Sequence, residues 1–246
     1  MSRVVLLGAA ALLVFIALLL ARFPARWAAG WLPETVQCQR LTGTIWSGRC
    51  TALTLEAAPL GDARWNIRAS RLLAGKLAAA VTLTKPGVDI RADVEAAPSG
   101  TLTARNVSAV VPLDAGVLPQ VPPNLRGTVR ADLKSLALSG RTITSIEGRI
   151  DAVDLAQVGR NSTELGDYSV TFPPTAADSE PVGTLVDLRG PLNVTGSLRL
   201  TREPGFVLDG LVAARPDASP ELARQLQYLG APDAAGRRPF SIAGTF

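Results

Sequence analysis

Residues 77–94 carry a clear strand–turn–strand pattern, and they read Leu-Ala-Ala-Ala-Val-Thr-Leu-Thr-Lys-Pro-Gly-Val-Asp-Ile-Arg-Ala-Asp-Val. Apolar and polar side chains alternate on both sides of Lys85-Pro86-Gly87, and this period of two is typical of a strand with one buried and one solvated face. Proline fixes φ and glycine accepts positive φ, so the tripeptide suits a tight reversal of the chain. The stretch therefore predicts two neighbouring antiparallel strands.

The same alternation recurs along the rest of the chain, in short segments separated by Gly, Pro or Asp. The other segments are residues 51–55, 64–68, 101–105, 127–133, 143–150, 184–188, 197–200, 206–212 and 240–246. A period of two with hairpin connections is the mark of antiparallel sheet. The sequence therefore predicts an all-β protein, built as one extended, twisted antiparallel sheet.

Two proline-rich stretches interrupt the alternating pattern. Residues 112–124 hold four prolines and cannot form a central strand, because proline has no N–H to donate to a neighbouring strand. We interpret this stretch as a connector, or as the seam between two β halves at residues 27–118 and 124–246. Residues 172–181 predict a surface loop.

One helix is predicted near the end of the chain. Ser219 can cap it, Pro220 fits its first turn, and Gly230 can end it. The side chains of Leu222, Leu226 and Leu229 fall on one face, which would pack on the sheet. A partner-binding helix is the alternative.

The first part of the chain is apolar without interruption from residue 4 to residue 21, between Arg3 and Arg22. A helix of this length covers most of a hydrocarbon core of about 30 Å. We expect a cytoplasmic tail at residues 1–3 and a transmembrane helix at residues 4–22. A cleaved signal peptide is the alternative, but basic and bulky residues follow where it would need small ones. Trp27 and Trp31 stand where aromatic residues mark a membrane interface, which favours an uncleaved anchor.

The two cysteines, Cys38 and Cys50, help to assign the compartment, because the charges flanking the apolar run barely distinguish its two sides. A zinc site would have to be built from two thiolates and carboxylates, since the chain has no histidine. A disulfide is the simpler interpretation, with two free buried thiols as the alternative. Because a disulfide persists only in an oxidising compartment, we expect residues 27–246 to lie in the periplasm of a bacterium.

Charge argues against a nucleic-acid partner. The net charge is +4, but Arg3, Arg22 and Arg26 bracket the apolar run, so the rest of the chain carries only +1. A nucleic-acid-binding domain would concentrate excess positive charge on itself.

Catalytic chemistry is not indicated either. The absence of histidine excludes a Ser-His-Asp or Cys-His site and imidazole metal ligands. No phosphate-binding glycine pattern follows a strand and opens a helix. The acidic residues at positions 89, 93, 151, 154 and 187 are typical of solvated strand faces. We therefore expect a protein that is not an enzyme and needs no cofactor or metal.

Several motifs together resemble the type II secretion system protein N family. The most distinctive is Leu41-Thr-Gly-Thr-Ile-Trp-Ser-Gly48, which Trp65 and Leu72-Leu-Ala-Gly75 follow. The resemblance continues to the end of the chain, through Asp187-Leu-Arg-Gly-Pro-Leu192, Gly196 with Leu198, Asp209-Gly210, Leu229-Gly230 with Asp233, and Gly236-Arg237. None of these motifs is catalytic.

The resemblance implies an accessory inner-membrane component of the machine that exports folded proteins across the outer membrane. Such a protein would link the inner-membrane platform with the outer-membrane secretin, as a docking scaffold whose sheet edges accept a strand of a partner. Trp46 and Trp65 are the candidate anchors for a partner, with burial beneath the sheet as the alternative role.

The second hypothesis is a lipid-binding protein. Single-span AsmA-like proteins form curved periplasmic β-grooves that hold acyl chains, and the alternating strands of this chain could form a similar groove. That function requires an inward apolar face that no core side chains fill.

Overall fold

The computed structural model describes residues 7–8, 11–12, 15, 18–19, 21–28, 30, 33, 35–55, 58–72, 74–114, 121–140, 142–159, 162–176 and 179–245. This part of the chain contains thirteen β-strands and three short helices, as the sequence predicts for an all-β protein with a short helix near its end. The contacts divide the chain into an N-terminal unit, Met1–Lys85, and a C-terminal unit, Pro86–Phe246.

The N-terminal unit is an antiparallel meander of four strands. Its elements are α1 (Ala25–Ala28), β1 (Val36–Gly43), β2 (Ser47–Leu55), β3 (Ala58–Ile67), α2 (Ala69–Leu72) and β4 (Leu77–Lys85). Each strand pairs with the next along the chain. Pro86 and Gly87 then form the predicted turn, and Gly87 has a φ of 80°.

The C-terminal unit continues with nine strands and one helix. They are β5 (Val88–Ala96), β6 (Thr101–Pro112), β7 (Leu125–Ser139), β8 (Thr142–Gln157), β9 (Thr163–Phe172), β10 (Val182–Arg189), β11 (Leu192–Thr201), β12 (Gly205–Ala214), α3 (Pro220–Leu226) and β13 (Arg238–Thr245). Within the unit, too, each strand pairs antiparallel with the next.

The register of the C-terminal unit gives its sheet one apolar and one polar face. Residues directly opposite each other in an antiparallel pair lie on the same face. One row across all nine strands is apolar or glycine: Ile90, Ala109, Ala131, Ile150, Val170, Leu185, Gly196, Gly210 and Phe240. One of the two adjacent rows, on the opposite face, is wholly polar: Arg91, Ser108, Asp132, Arg149, Thr171, Thr184, Ser197, Asp209 and Ser241. A slip of one residue in any pair would place polar side chains on the apolar face, so the pattern fixes the register.

The core lies on the apolar face of the C-terminal unit. One cluster joins β6–β9 to β11, with buried Val107, Leu133, Ile146, Phe172 and Leu200 among its members. Register shifts in β5–β6 and β8–β9 fall beside Asn106 and Asp154, which have φ values of 51° and 54°. Such bulges bend a strand and increase its twist. The bulges therefore bend β6 and β8 at these two positions.

The predicted helix is present as α3. The Ser219 hydroxyl accepts a hydrogen bond from the Leu222 N–H at 3.2 Å, and Pro220 is the first helical residue. Leu222 is buried in a second cluster with Leu185, Leu192, Val194 and Val212, and Leu226 and Leu229 pack against it. The helix ends at Leu226, earlier than the predicted stop at Gly230, because the chain passes through a turn at residues 227–228 first.

The proline-rich stretches separate strands, as expected. β6 ends at Pro112 and β7 begins at Leu125, while residues 115–120 lie outside the described part of the chain. The segment between β9 and β10 is more firmly held than a simple surface loop. The Thr175 hydroxyl donates to the carbonyl of Ile146 at 3.1 Å, and Pro181 is buried.

Most of the predicted transmembrane segment, residues 4–22, and the tail at residues 1–3 fall outside the described residues. None of the helices in the described part of the chain combines the length and the apolar character needed to span a bilayer.

Candidate functional site

Trp65 packs against a glycine on the neighbouring strand. Trp65 on β3 lies directly opposite Gly48 on β2. A Cβ atom at Gly48 would lie 2.4 Å from Cζ2 of the indole, so the ring covers the glycine closely. The indole Nε1 donates a hydrogen bond to the carbonyl of Ile45 at 3.0 Å. Trp65 is therefore half-buried with its polar atom satisfied.

Trp46 lies in the turn between β1 and β2, where the chain that leaves the apolar run joins the sheet. Pro24 forms a bridge with Thr44, and the Ile45 N–H donates to the carbonyl of Phe23 at 3.1 Å. The carbonyl of Trp46 accepts from the Ile67 N–H at 2.6 Å. This turn therefore holds together residues 23–24, the start of β2 and the end of β3.

Of the two tryptophans predicted at the membrane interface, Trp27 lies within the described residues. Trp27 is 65 % exposed and makes an edge-on contact with Phe23, with ring centroids 5.9 Å apart. Trp31 lies outside the described residues. Trp27 directly follows Arg26, and tryptophan close to arginine is common in segments that lie at a membrane interface.

Cys38 and Cys50 form a disulfide across the β1–β2 hairpin, as the sequence predicts, with Cα atoms 5.7 Å apart. Both cysteines line an apolar cavity of about 350 Å³ in the N-terminal unit. The side chains of Leu41, Ile45 and Trp65 also line this cavity.

A larger apolar cavity, of about 530 Å³, opens on the apolar face of the C-terminal unit. Its lining comes from strands β8–β13 and from Leu229 after α3; Val170, Leu185, Leu208 and Phe240 are among the side chains. Apolar cavities of this size are typical of ligand sites.

Tyr168 at the wall of this cavity has a strongly perturbed titration. Burial raises its pKa to about 12, and the nearby Asp187 carboxylate adds to the rise. The phenol donates a hydrogen bond to the carbonyl of Leu165 at 2.6 Å. Tyr168 is therefore held neutral and satisfied by the backbone, which is a structural role.

Two nearly buried carboxylates bond to neighbouring strands in the same unit. The Asp187 side chain is paired with Arg215 and accepts from the Val194 N–H at 2.8 Å. Asp167 is paired with Arg189 and accepts from the Asp154 N–H at 2.7 Å. Hydrogen bonding to the Asp167 carboxylate raises the pKa of Arg189 further. Each carboxylate is paired with an arginine and accepts a backbone N–H from a neighbouring strand, so both stabilise the pairing of strands.

The other carboxylates considered from the sequence are also occupied by neighbours. Asp89 pairs with Arg91 at 3.1 Å, Asp151 pairs with Arg149 at 2.7 Å, and Asp93 accepts from the Asn106 amide at 3.1 Å. Asp154 is paired with Arg189 at 2.8 Å. Among the described residues, no group of three Cys, Asp or Glu side chains could hold a metal ion.

These features define a class: an all-β meander with apolar cavities, a clamped N-terminal hairpin and no catalytic grouping in its described part. Residues 34–241 match the family model of type II secretion system protein N, so the chain belongs to this family.

Two curated relatives carry the same family name. The chain is 25 % identical over 257 residues to type II secretion system protein N of Aeromonas hydrophila, with 99 % of both chains covered. It is 26 % identical over 228 residues to the protein of that name from Vibrio cholerae serotype O1, covering 87 % of this chain and 86 % of the relative. No solved structure is significantly similar to this chain.

The structure brings Trp46 and Trp65 to the same turn, since both interact around Ile45 and Ile67. Sequence reasoning missed one surface at this turn: the basic connector between β3 and β4, residues 68–76, which includes Arg68, Arg71 and Lys76. The net charge of the whole chain, +4, hides this basic surface. The charges of the two units indicate it, because residues 1–85 carry +7 and residues 86–246 carry −3.

Proposed function

We propose that this chain is an accessory component of the type II protein secretion system, anchored in the bacterial inner membrane with its β-rich body in the periplasm. In this role it is a docking scaffold that links the inner-membrane platform with the outer-membrane secretin. The family match over residues 34–241 is the observation that carries the proposal.

The anchor in this proposal is the apolar run at residues 4–22, with residues 1–3 on the cytoplasmic side. Three described side chains of the run, Leu7, Leu12 and Phe15, are each more than half exposed, so no other part of the described chain covers them. Several exposed apolar side chains on one helical segment favour a lipid environment. Arg22 and Trp27 then fall at the headgroups.

The periplasmic location is supported by the disulfide. Cys38 and Cys50 are bridged, and such bonds persist in the oxidising periplasm and are rare in the cytoplasm. The body, residues 27–246, follows the anchor on that side. We propose that this body works as two halves, residues 27–118 and 124–246.

Docking would use the outer edge of β13. Among the described strands, β13 pairs only with β12, so its other edge offers backbone N–H and C=O groups. An extended segment of another secretion component can add to such an edge, with main-chain hydrogen bonds supplying the affinity.

The two candidate tryptophans have different roles in this proposal. The Trp65 indole packs against Gly48 and donates to Ile45, so we propose that Trp65 supports the turn and that Trp46 is the anchor that contacts a partner.

Site-specific photo-crosslinking in intact cells tests this role. A photo-reactive residue at Ala243 on β13 is expected to give adducts with secretion-system components, identified by mass spectrometry. The same residue at Thr195, exposed on the interior strand β11, is the matched control and should give far fewer. Equal adduct patterns at both positions, or adducts that contain no secretion component, would contradict the docking proposal.

A second candidate function is lipid binding or transfer, as in AsmA-like periplasmic grooves. The apolar cavities of about 350 Å³ and 530 Å³ favour it, because both are open and lined almost wholly by apolar side chains. Native mass spectrometry of the purified full chain tests it. Stoichiometric phospholipid that is lost in Leu208→Glu would support this function, and a chain free of lipid after mild extraction would count against it.

A further inference from the structure

Positive charge is concentrated in the N-terminal unit. Residues 1–85 include ten basic and three acidic residues, whereas residues 86–246 include fifteen basic and eighteen acidic residues. The three acidic positions of the unit are 34, 56 and 62, and none falls within residues 21–28, 43–48 or 67–78. The excess of positive charge is therefore uneven within the unit as well.

Hydrogen bonds place two basic segments and the β1–β2 turn at one end of the four-stranded sheet. The Ile45 N–H donates to Phe23, which joins residues 22–28 to the β1–β2 turn. The Ile67 N–H donates to Trp46, so β3 ends beside the same turn. The Arg68 N–H donates to the carbonyl of Ala78 at 2.8 Å, so the connector that follows β3 starts and ends there too. We call this part of the N-terminal unit, residues 22–28, 44–46 and 68–77, the anchor-proximal end.

The anchor-proximal end combines exposed cations with exposed apolar side chains. Its basic residues are all exposed: Arg22, Arg26, Arg68, Arg71 and Lys76. Trp27, Leu72 and Leu77 are 65 %, 41 % and 47 % exposed. Cations suit the phosphates of anionic lipids, and leucine and tryptophan suit the boundary between headgroups and acyl chains.

We propose that the anchor-proximal end is a membrane-contacting surface that binds the phosphate headgroups of anionic phospholipids. Arg68, Arg71 and Lys76 contact the phosphates, and Leu72 and Leu77 enter the interface. The occupant is the bilayer in which residues 4–22 are proposed to lie, and the inference rests on that anchor. An anionic bilayer is favoured over an acidic protein because residues 22–28, which leave the apolar run, are bonded directly to this end of the sheet.

This contact would fix the sheet on the bilayer instead of leaving it free on its stem. A single helical stem allows the body to tilt, whereas a second contact through the β3–β4 connector holds it at a defined angle. Salt weakens the headgroup attraction, since the screening length falls from about 10 Å at 0.1 M to about 3 Å at 1 M.

An environment-sensitive fluorophore at position 72 tests the proposal. Leu72→Cys in the full chain can be labelled specifically, because Cys38 and Cys50 are bridged. The labelled chain is placed in nanodiscs of phosphatidylcholine alone, or of equal parts phosphatidylcholine and phosphatidylglycerol. We expect blue-shifted emission and quenching by nitroxide-labelled lipid only in the discs that contain phosphatidylglycerol. Tyr228→Cys, at a side chain that is 92 % exposed, is the matched probe and should remain in water.

Charge neutralisation separates headgroup binding from simple proximity. The triple variant Arg68→Gln, Arg71→Gln and Lys76→Gln should reduce quenching at position 72 to the level of the Tyr228 position, as 1 M salt should. A control triple with the same change in charge, Arg105→Gln, Arg130→Gln and Arg199→Gln, should retain it.

Extraction of the same samples distinguishes failure of this inference from failure of the anchor. A chain that resists alkaline carbonate while its position 72 stays in water in both lipids would overturn the membrane-contacting surface and leave the anchor intact. A chain that carbonate releases would overturn the anchor. Vesicles of the same composition would then decide the surface: blue-shifted emission on added anionic vesicles supports it, and unchanged emission overturns it.

Discussion

Single glycines in this sheet provide room for aromatic rings on neighbouring strands. Gly48 lies opposite Trp65, Gly210 opposite Phe240 and Gly244 opposite Phe206. In each pair a Cβ on the glycine would come within 2.8 Å of a ring carbon. Cross-strand packing of this kind compensates for the side chain that glycine lacks.

Replacing Gly48 tests this packing. Gly48→Ala should destabilise the full chain in detergent by roughly 1–3 kcal/mol, because the added methyl would lie 2.4 Å from Trp65 Cζ2 and 2.7 Å from the carbonyl of Thr42. Chemical denaturation followed by tryptophan fluorescence measures the change. Gly30→Ala is the control, since no atom lies within 4 Å of the added methyl, and it should be nearly neutral. Equal effects of the two substitutions would refute the packing argument.

Ionisation of Tyr168 should make the free energy of unfolding depend on pH in the alkaline range. Its pKa rises from 10.0 to about 12 in the folded chain, chiefly through burial. Its contribution is therefore complete below pH 10, where both states are protonated, and is lost as the pH rises from 10 to 12. Tyr168→Phe removes this dependence, and at neutral pH it costs about 0.5–1.5 kcal/mol for the lost hydrogen bond to Leu165.

Unfolding of both forms, measured at pH 9 and again near pH 11.5, checks this expectation. The difference in stability between wild type and Tyr168→Phe should shrink or reverse at the higher pH. Other groups also titrate there, and the comparison cancels them. A difference that does not change with pH would contradict the assignment.

At the scale of elements, the helix α3 packs on the apolar face of the C-terminal unit, against the second cluster. Its capping Ser219 and its buried Leu222 were both recognisable in the sequence, because the cap residue, the proline at the first turn and the leucine spacing are local signals. The helix packs on β12 and on the second apolar cluster.

Two substitutions separate the cap from the packing of this helix. Ser219→Ala should cost about 1 kcal/mol, because the Leu222 N–H loses its acceptor. Leu222→Ala should cost roughly 2–5 kcal/mol, because it leaves a cavity in the second cluster. Gln225→Ala on the exposed side is the control, with an expected change within about 0.5 kcal/mol. Denaturant unfolding measures all three, and a Leu222→Ala variant as stable as the control would show that the helix is not packed.

The β1–β2 hairpin depends on its disulfide. The bridge spans a sequence separation of 12 residues, and its removal in a Cys38→Ala, Cys50→Ala variant should cost about 3 kcal/mol in the chain-entropy model. Thiol alkylation of denatured wild type should label no cysteine without reductant and both with it. Full labelling without reductant would contradict the bridge, and with it the argument for the periplasm.

The strands differ in how clearly the sequence predicts them. Strands with clear alternation, such as β4, β5, β11 and β12, were predictable from period two alone. β1 and β9 were not, because Gln and Arg in β1 and Gly166-Asp167 in β9 blur the alternation, and only pairing with their neighbours defines them. The grouping of Trp46, Trp65 and the basic connector also depends on pairing, since residues 23, 46 and 67 meet only in the folded unit.

At the scale of the whole chain, one alternation organises the sheet. An apolar row and a polar row cross nine strands, so the C-terminal unit has one face for its core and cavity and one face for solvent. Charge divides the chain along its length, with +7 on residues 1–85 and −3 on residues 86–246. The basic unit is the one that contains the proposed anchor at residues 4–22, which would suit a scaffold held at an anionic bilayer.

The membrane topology of the chain in the native envelope is the decisive test of an anchored periplasmic scaffold. The full chain with a C-terminal epitope is followed in intact cells, in cells with a permeabilised outer membrane, and in membranes washed with alkaline carbonate. We predict that the chain stays with the washed membranes and that added protease removes the epitope as soon as the outer membrane is open. Release by carbonate, or digestion only after the inner membrane is broken, would contradict an anchored periplasmic scaffold.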